Sequence, residues 1–172
     1  MTVNLSARQF AAPDLVDVVR GALRDAGLPG DALWLEITES VLMEEAASTV
    51  HTLRSLKSLG LHLSVDDFGT GYSSLSYLKR FPVDALKIDR SFVDGLGHDP
   101  EDEAIVAAVV SLARALNLGV VAEGVERDGQ LQRLRRLGCN AVQGYLLSRA
   151  LAPARLLEHL TALSPTTVRQ PA

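Results

Sequence analysis

LHLSVDDFGTGYSS, residues 61–74, is the stretch on which the fold turns. Its first half, Leu61 to Asp66, is an apolar run of strand type. It closes on two adjacent acids, Asp66 and Asp67, and passes at once into a loop carrying Gly69 and Gly71. An apolar strand that ends on charge and hands over to a glycine loop suits a β/α fold, where ligands bind at the carboxyl ends of parallel strands.

Outward from this stretch, short runs rich in Val, Leu and Ile alternate with longer segments whose apolar residues recur at helical spacing. The further strands expected are Val3 to Leu5, Leu33 to Thr38, Ala85 to Asp89, Val120 to Glu123 and Ala141 to Tyr145. Helices are expected from Asp14 to Gly27, from about Glu44 to Gly60, from near Ser73, after Pro100, over Asp128 to Leu137, and after Pro153. In the one after Pro100, Ile105, Val109, Leu112 and Leu116 form an apolar stripe expected to face the core. The segment after Leu163, SPTTVRQPA, has no periodicity and reads as a disordered C-terminal tail over residues 164–172, leaving residues 1–163 as one domain.

The strands share a feature at one end. Asn4, Glu36, Asp66 with Asp67, Lys87 with Asp89, Glu123 and Gln143 close the successive apolar runs. A doubly wound open sheet would divide these ends across a crevice, whereas a barrel brings all of them to one mouth, so the pattern favours a β/α barrel. Carboxylates gathered in one mouth repel unless cations compensate them. Hard oxygen donors suit Mg²⁺ or Mn²⁺, and neither cysteine ligands nor a histidine motif points to zinc. An acidic pair such as Asp66 and Asp67 can serve two ions, an arrangement suited to in-line attack on a phosphodiester, with Lys87 holding the attacking water or balancing phosphate charge. Taken singly, each residue has a plainer reading: Asn4 as a turn cap, Glu36 and Glu39 as solvated acids near a helix start, Glu123 as a surface acid.

Composition bounds the partners. The chain has 172 residues, 47% of them hydrophobic, with both charge signs interspersed and a formal net charge of -4. That balance argues against nucleic acid or an anionic membrane as the main partner. Cys139 is the only cysteine and is expected to be a buried structural thiol, with no disulfide framework. The apolar run Ala104 to Val110 is too short to span a bilayer, and polar residues follow Met1, so the setting expected is cytoplasmic and reducing.

With NLSARQF at Asn4, LEITES at Leu35, DDFGTGYSSL at Asp66, LKID at Leu86, AEGVE at Ala122 and QGYLLSRAL at Gln143, the chain resembles the EAL family of cyclic di-GMP phosphodiesterases. The resemblance implies a TIM-like β/α barrel and metal-dependent hydrolysis of cyclic di-GMP to linear pGpG. It makes Asn4, Glu36 and Asp66 ligands of one metal ion, with Asp66 bridging to a second ion that Asp67 and Glu123 also bind. Lys87 would hydrogen-bond the nucleophilic water, and Glu123 would act as general base unless hydroxide generated between the two ions needs none. Asp89 and Gln143 would contact substrate and water. Glu39 and Glu126 would hold the DDFGTGYSS loop, whose unusual backbone angles Gly69 and Gly71 would supply. The partners implied are cyclic di-GMP, a second copy of the chain in a homodimer, and an upstream sensor or GGDEF-type domain in the parent protein.

Two features depart from the family. Ala150 replaces the usual proline, and the Glu-Ala-Leu strand, with its arginine, has no counterpart before Asn4. About six βα units against the eight of a full barrel imply an incomplete one lacking its first two strands, with impaired catalysis. The alternative is a catalytically inactive module that binds cyclic di-GMP or another protein. A receiver-like phosphorylation domain accounts for Asp66, Asp67 and Lys87 but leaves Asn4, Glu36, Glu123 and Gln143 unexplained.

Overall fold

A computed structural model of the chain describes residues 1–42, 46–71 and 78–162. The expected helix start near Ser73, the beginning of the helix near Glu44 and the expected tail, residues 164–172, lie outside the described residues. The strands are β1 (Thr2–Leu5), β2 (Trp34–Thr38), β3 (His62–Phe68), β4 (Ala85–Ile88), β5 (Gly119–Ala122) and β6 (Ala141–Val142). They form one sheet in the order β1-β2-β3-β4-β5-β6, and every adjacent pair is parallel. A doubly wound sheet must reverse its strand order at a switch point. This sheet never reverses, so its winding is that of a β/α barrel, present as an arc of six strands.

Between the strands run helices α1 (Ala7–Phe10), α2 (Leu15–Ala26), α3 (Glu39–Leu42), α4 (Ala46–Lys57), α5 (Arg90–Asp94), α6 (Pro100–Ala115), α7 (Asp128–Leu137) and α8 (Pro153–Ala162). Their ends follow local chemistry. Helix α2 stops at Gly27, which takes a left-handed conformation (φ 63°) and returns its N–H to the carbonyls of Arg24 and Leu23. At the start of α6 the Asp99 side chain accepts the Glu101 N–H at 2.8 Å, and Pro100 occupies the first turn, where a missing donor costs nothing. Gln130 of α7 is 2% exposed, yet its polar atoms are satisfied: Oε1 accepts the N–H groups of Glu126 and Arg127, and Nε2 donates to the Val93 carbonyl. That one side chain ties the loop after β5 to α5.

The two faces of the sheet divide the labour. Leu35, Ile37, Leu63, Val65, Leu86, Ile88, Val120 and Ala122 are all buried and face the helices, forming the core. The alternate positions, Trp34 and Glu36, His62, Ser64 and Asp66, Lys87, Val121 and Glu123, point to the inner face. Toward the amino ends of the strands that face carries Trp34 stacked on His62, ring centroids 4.5 Å apart. At the carboxyl ends it carries charge.

The stripe expected on α6 is corrected by the structure. The buried residues are Val106, Val109, Val110 and Ala113, whereas Ile105 is 36% exposed. The ridge meeting the sheet is therefore rotated by about one residue from the expected one. Strand β6 is also shorter than Ala141 to Tyr145. Among the described residues it pairs on one side only, and after Val142 the chain turns back with the Leu147 N–H donating to Gly144.

Two side chains on the far side of the sheet make the packing testable. Asp84, just before β4, accepts the Leu63 N–H at 2.7 Å and both of its oxygens lie 2.8 Å from Lys57 Nζ, joining the end of α4 to β3. Asp84→Ala should lower stability by about 2 kcal/mol, and Asp84→Asn, which keeps an oxygen for Leu63, by less; urea unfolding of both variants checks it. Cys139 donates to the Ala141 carbonyl at 3.2 Å, and burial pushes its thiol up to about 11. The unfolded thiol titrates near 8.5, so the folded state holds this proton more tightly. The resulting stabilisation is complete below that pH and is lost as pH rises toward about 11. Cys139→Ala should flatten the alkaline loss of stability in unfolding curves taken across that window.

Candidate active site

Strand β4 reads ALKI and is buried along its whole length, so Lys87 enters the sheet's inner face with 3% of its surface exposed. A buried ammonium is costly unless paired. Its Nζ lies 2.7 Å from Glu36 Oε2 on β2 and 2.9 Å from Asp66 Oδ1 on β3, and it also pairs with Glu123 Oε1 just beyond β5. Burial alone would depress the Lys87 pKa; its pairing with Glu123, Glu36 and Asp66 outweighs that and raises it. Burial in turn pushes the Glu123 carboxyl up, assisted by the like charges of Asp66 and Glu36 and opposed by Lys87.

Asp66 and Asp67 owe their placement to an irregularity. The register of β3 against β4 shifts between Val65 and Phe68, and Asp67 takes a positive φ of 54°. The two acids are therefore freed from regular alternation at the strand end. Asp66 Oδ1 is buried and accepts no hydrogen bond, its approach to Lys87 being ionic without hydrogen-bonding alignment. Asp67 lies beside Asp89. Burial and the charges of Asp66 and Asp89 push Asp67 up; at Asp89, burial is outweighed by donation from the Ser91 hydroxyl and backbone, and its carboxyl is held down. Asp89 also caps α5 through the Ser91 N–H at 2.9 Å.

The loop residues divide between expectation and correction. Glu39, 5% exposed, accepts the Gly69 N–H at 3.1 Å. Gly69 has φ 101°, but Gly71 is not in the left-handed region; its lack of a side chain matters because a Cβ there would stand 3.1 Å from Glu39 Oε1. The second unusual backbone angle belongs to Asp67 and not to Gly71. Glu126 pairs with Arg90 NH2 at 3.0 Å, which ties the loop after β5 to α5.

Asn4 is exposed and stands in register with Glu36 on the neighbouring strand. Gln143 donates from Nε2 to Glu123 Oε1 at 3.0 Å, so Lys87 and Gln143 share that oxygen. The expected residues of β2 to β6 therefore lie in one connected cluster, with Asn4 alongside. Two residues of the neighbourhood were missed. Ser64, 2% exposed with its Oγ unpaired, sits two positions before Asp66 on the same face, and the period of two could have flagged it. Arg90 had no sequence signal beyond its place after LKID. Beside Gln143 a cleft of about 550 Å³ opens between Arg90, Glu126, Tyr145 and Arg149, with the Arg149 guanidinium 4.6 Å from the Tyr145 ring centre. A groove of similar size between α2 and α4 is lined by Phe10, Val16 and His51 and contains none of these acids.

The donor set fits a hard divalent cation: Asn4, Glu36, Asp66, Asp67 and Glu123 offer oxygen alone, and Asp66 Oδ1 is a buried anionic acceptor with no hydrogen bond. As arranged, the carboxylates surround the ammonium. Among the described residues no three Asp, Glu, His or Cys side chains surround a common metal position. No described helix is long and apolar enough to cross a membrane.

The EAL domain family matches residues 1–150 of the chain. MucR of Pseudomonas aeruginosa, a bifunctional diguanylate cyclase/cyclic di-GMP phosphodiesterase, is 53% identical over 157 residues, which are 91% of this chain and 23% of MucR. NbdA of the same organism, a cyclic di-GMP phosphodiesterase, is 49% identical over 162 residues, 94% of this chain and 21% of NbdA. The chain thus spans less than a quarter of these relatives' length. The solved PaMucR phosphodiesterase in complex with c-di-GMP superposes with a TM-score of 0.87 at 53% identity, over 90% of this chain and 63% of that one. Klebsiella pneumoniae BlrP1, solved with manganese and cyclic di-GMP, superposes with a TM-score of 0.79 at 36% identity, over 86% of this chain and 38% of that one.

Glu39→Ala removes the acceptor of the Gly69 N–H. Hydrogen–deuterium exchange over residues 66–71 should then accelerate about tenfold or more, with little change in the amides of β2.

Proposed function

Because the chain belongs to the EAL domain family, we propose that its strand-end cluster is the catalytic face of a phosphodiesterase that hydrolyses cyclic di-GMP to linear pGpG with the aid of divalent metal ions. The observation that carries this reading is the meeting of Glu36 of β2, Asp66 of β3 and Glu123 just beyond the end of β5 around Lys87 of β4, the one buried cation among the described residues. The relatives' phosphodiesterase names and their complexes with cyclic di-GMP and manganese support it.

In this reading Asn4, Glu36 and Asp66 would hold one ion, and Asp67 and Glu123 would join Asp66 in holding a second. Mg²⁺ or Mn²⁺ bound there supplies Lewis-acid stabilisation of the charge that develops on the phosphodiester. Lys87 donates to the attacking water and fixes its direction. Glu123 takes the water's proton, a role suited to a carboxylate whose basicity burial has raised. Water adds across one of the two phosphodiester bonds, leaving a 5′-phosphate and a 3′-hydroxyl. Gln143, bonded to Glu123, and Asp89, at the head of α5, line the substrate's approach. The cleft bounded by Arg90, Tyr145 and Arg149 adjoins that approach and lies within the size range of small-ligand sites. Glu39 steadies the DDFGTGYSS loop; Glu126 does so at one remove, by fixing Arg90 and α5 next to it.

A bifunctional relative four times longer than the aligned region motivates a parent protein in which this unit works with an upstream GGDEF-type or sensor domain; the homodimer rests on the family resemblance alone, and the cytoplasmic setting on the sequence. A second reading, capture of cyclic di-GMP without turnover, draws on one observation: the carboxylates as placed are engaged by Lys87.

The 172-residue chain incubated with cyclic di-GMP and Mn²⁺ should yield pGpG, and EDTA should abolish the yield. Glu123→Gln should slow turnover by about 10²–10⁴-fold. Chromatography of the nucleotides reads both. Binding of cyclic di-GMP in Ca²⁺ by calorimetry with no product in Mn²⁺ would move the assignment to the capture reading, and the absence of both would overturn each.

A further inference from the structure

The geometry points to a second role for Lys87: it is the built-in counter-ion of the metal-free site, and divalent cations must compete with it for Glu36, Asp66 and Glu123. This inference rests on the two-metal reading of the cluster. It starts from a count of charges and hands. An ammonium has three protons, and three carboxylates from three different stretches of chain converge on this one. Lys87 is 3% exposed, so its ammonium has these carboxylates rather than bulk water as its surroundings, whereas the carboxylates keep a partial exposure of 12–18%. Three carboxylates within reach of one nitrogen repel one another, and in a metal-free sheet it is Lys87 that holds the carboxyl ends of β2, β3 and β5 together across β4.

The same oxygens are those a hard cation would take. Metal entry therefore exchanges ion pairs with Lys87 for coordination and is not simple addition to free ligands. The three partners are not equally held. Asp66 Oδ1 has only its ionic approach to Nζ and no aligned hydrogen bond, and it sits at the β3 irregularity beside Asp67. Glu123 is held twice, by Lys87 and by Gln143 Nε2. Asp66 is accordingly the carboxylate that leaves Lys87 first, and Glu123 the last. Lys87, released from part of its ion pairing, is then free to donate to water, so loading the site and arming the lysine are one event.

Removing the ammonium should act in opposite directions on stability and on metal affinity. In the 172-residue chain, Lys87→Met is expected to lower the melting temperature in EDTA by about 5 °C or more. It is also expected to tighten Mn²⁺ binding about tenfold or more, read from the free Mn²⁺ signal in electron paramagnetic resonance. Lys87→Arg keeps the charge and should stay within about threefold of the parent affinity. Folding of Lys87→Met with Mn²⁺ but not with EDTA would also support the exchange. Mn²⁺ bound by the parent chain but no tighter by a folded Lys87→Met would overturn this inference and leave the metal reading intact. No binding by either chain would overturn both. Should Lys87→Met fold under neither condition, the parent chain decides: the ¹⁵N ammonium resonance of Lys87, identified by its loss in Lys87→Arg, should shift on saturation with Mg²⁺, and an unmoved resonance overturns the inference.

Discussion

One ammonium buried at the carboxyl ends of parallel strands, with a carboxylate from each side and a third from beyond the next strand, constrains much else in this chain. Charges of one sign at such a density cannot be buried without a partner, and a partner of that kind cannot be placed by a flexible loop. Lys87 is carried instead by a strand that is buried on both faces, between β3 and β5, so its nitrogen is delivered to one point by the most rigid part of the sheet. In register only Asp66 stands beside Lys87: Glu36 is level with Ala85 through Ser64, and Glu123 lies two positions beyond Val121, the partner of Lys87, so the long glutamate and lysine side chains cover the offsets.

The sheet can carry this charge because its other face carries none. Every outward position of the central strands is an aliphatic side chain packed under the helices, and that burial is where the hydrophobic stabilisation lies. The inner face is thereby free to be polar, with the Trp34–His62 stack toward one end and the acids toward the other. A strict period of two along each strand keeps the faces separate. The single lapse, at Val65 to Phe68, falls where two adjacent acids must both reach the mouth.

Around the cluster, side chains from one βα loop brace the next. Glu39 after β2 holds the loop after β3 through Gly69; Arg90 after β4 meets Glu126 after β5; Gln143 after β6 meets Glu123. Each brace joins sequence neighbours in the sheet, so the mouth is built pairwise along the arc. Asp67 and Asp89 extend the pattern from β3 to β4, each shifting the other's carboxyl. The same pairwise construction explains why Gln143, expected as a substrate contact, is found holding an acid, and why Asp89 is also a helix cap.

Local chemistry in the sequence determined the βα alternation, most helix ends and the set of strand-end residues, since periodicity, glycine stops and terminal charge are properties of adjacent residues. The six ordered motifs carried the family with them. Element bounds were legible to within a few residues, and failed where neighbours decide: β6 is cut short at the arc's end, and the α6 ridge is set by how the helix settles on the sheet, which propensity does not encode. Only the tertiary structure decided that Lys87 pairs with Glu36, Asp66 and Glu123 together, that Glu126 belongs with Arg90, and that the second strained backbone angle falls on Asp67 and not on Gly71. Those are distances between residues far apart in the chain, fixed by strand register and the bulge in β3, and a linear sequence specifies them only through the fold it adopts.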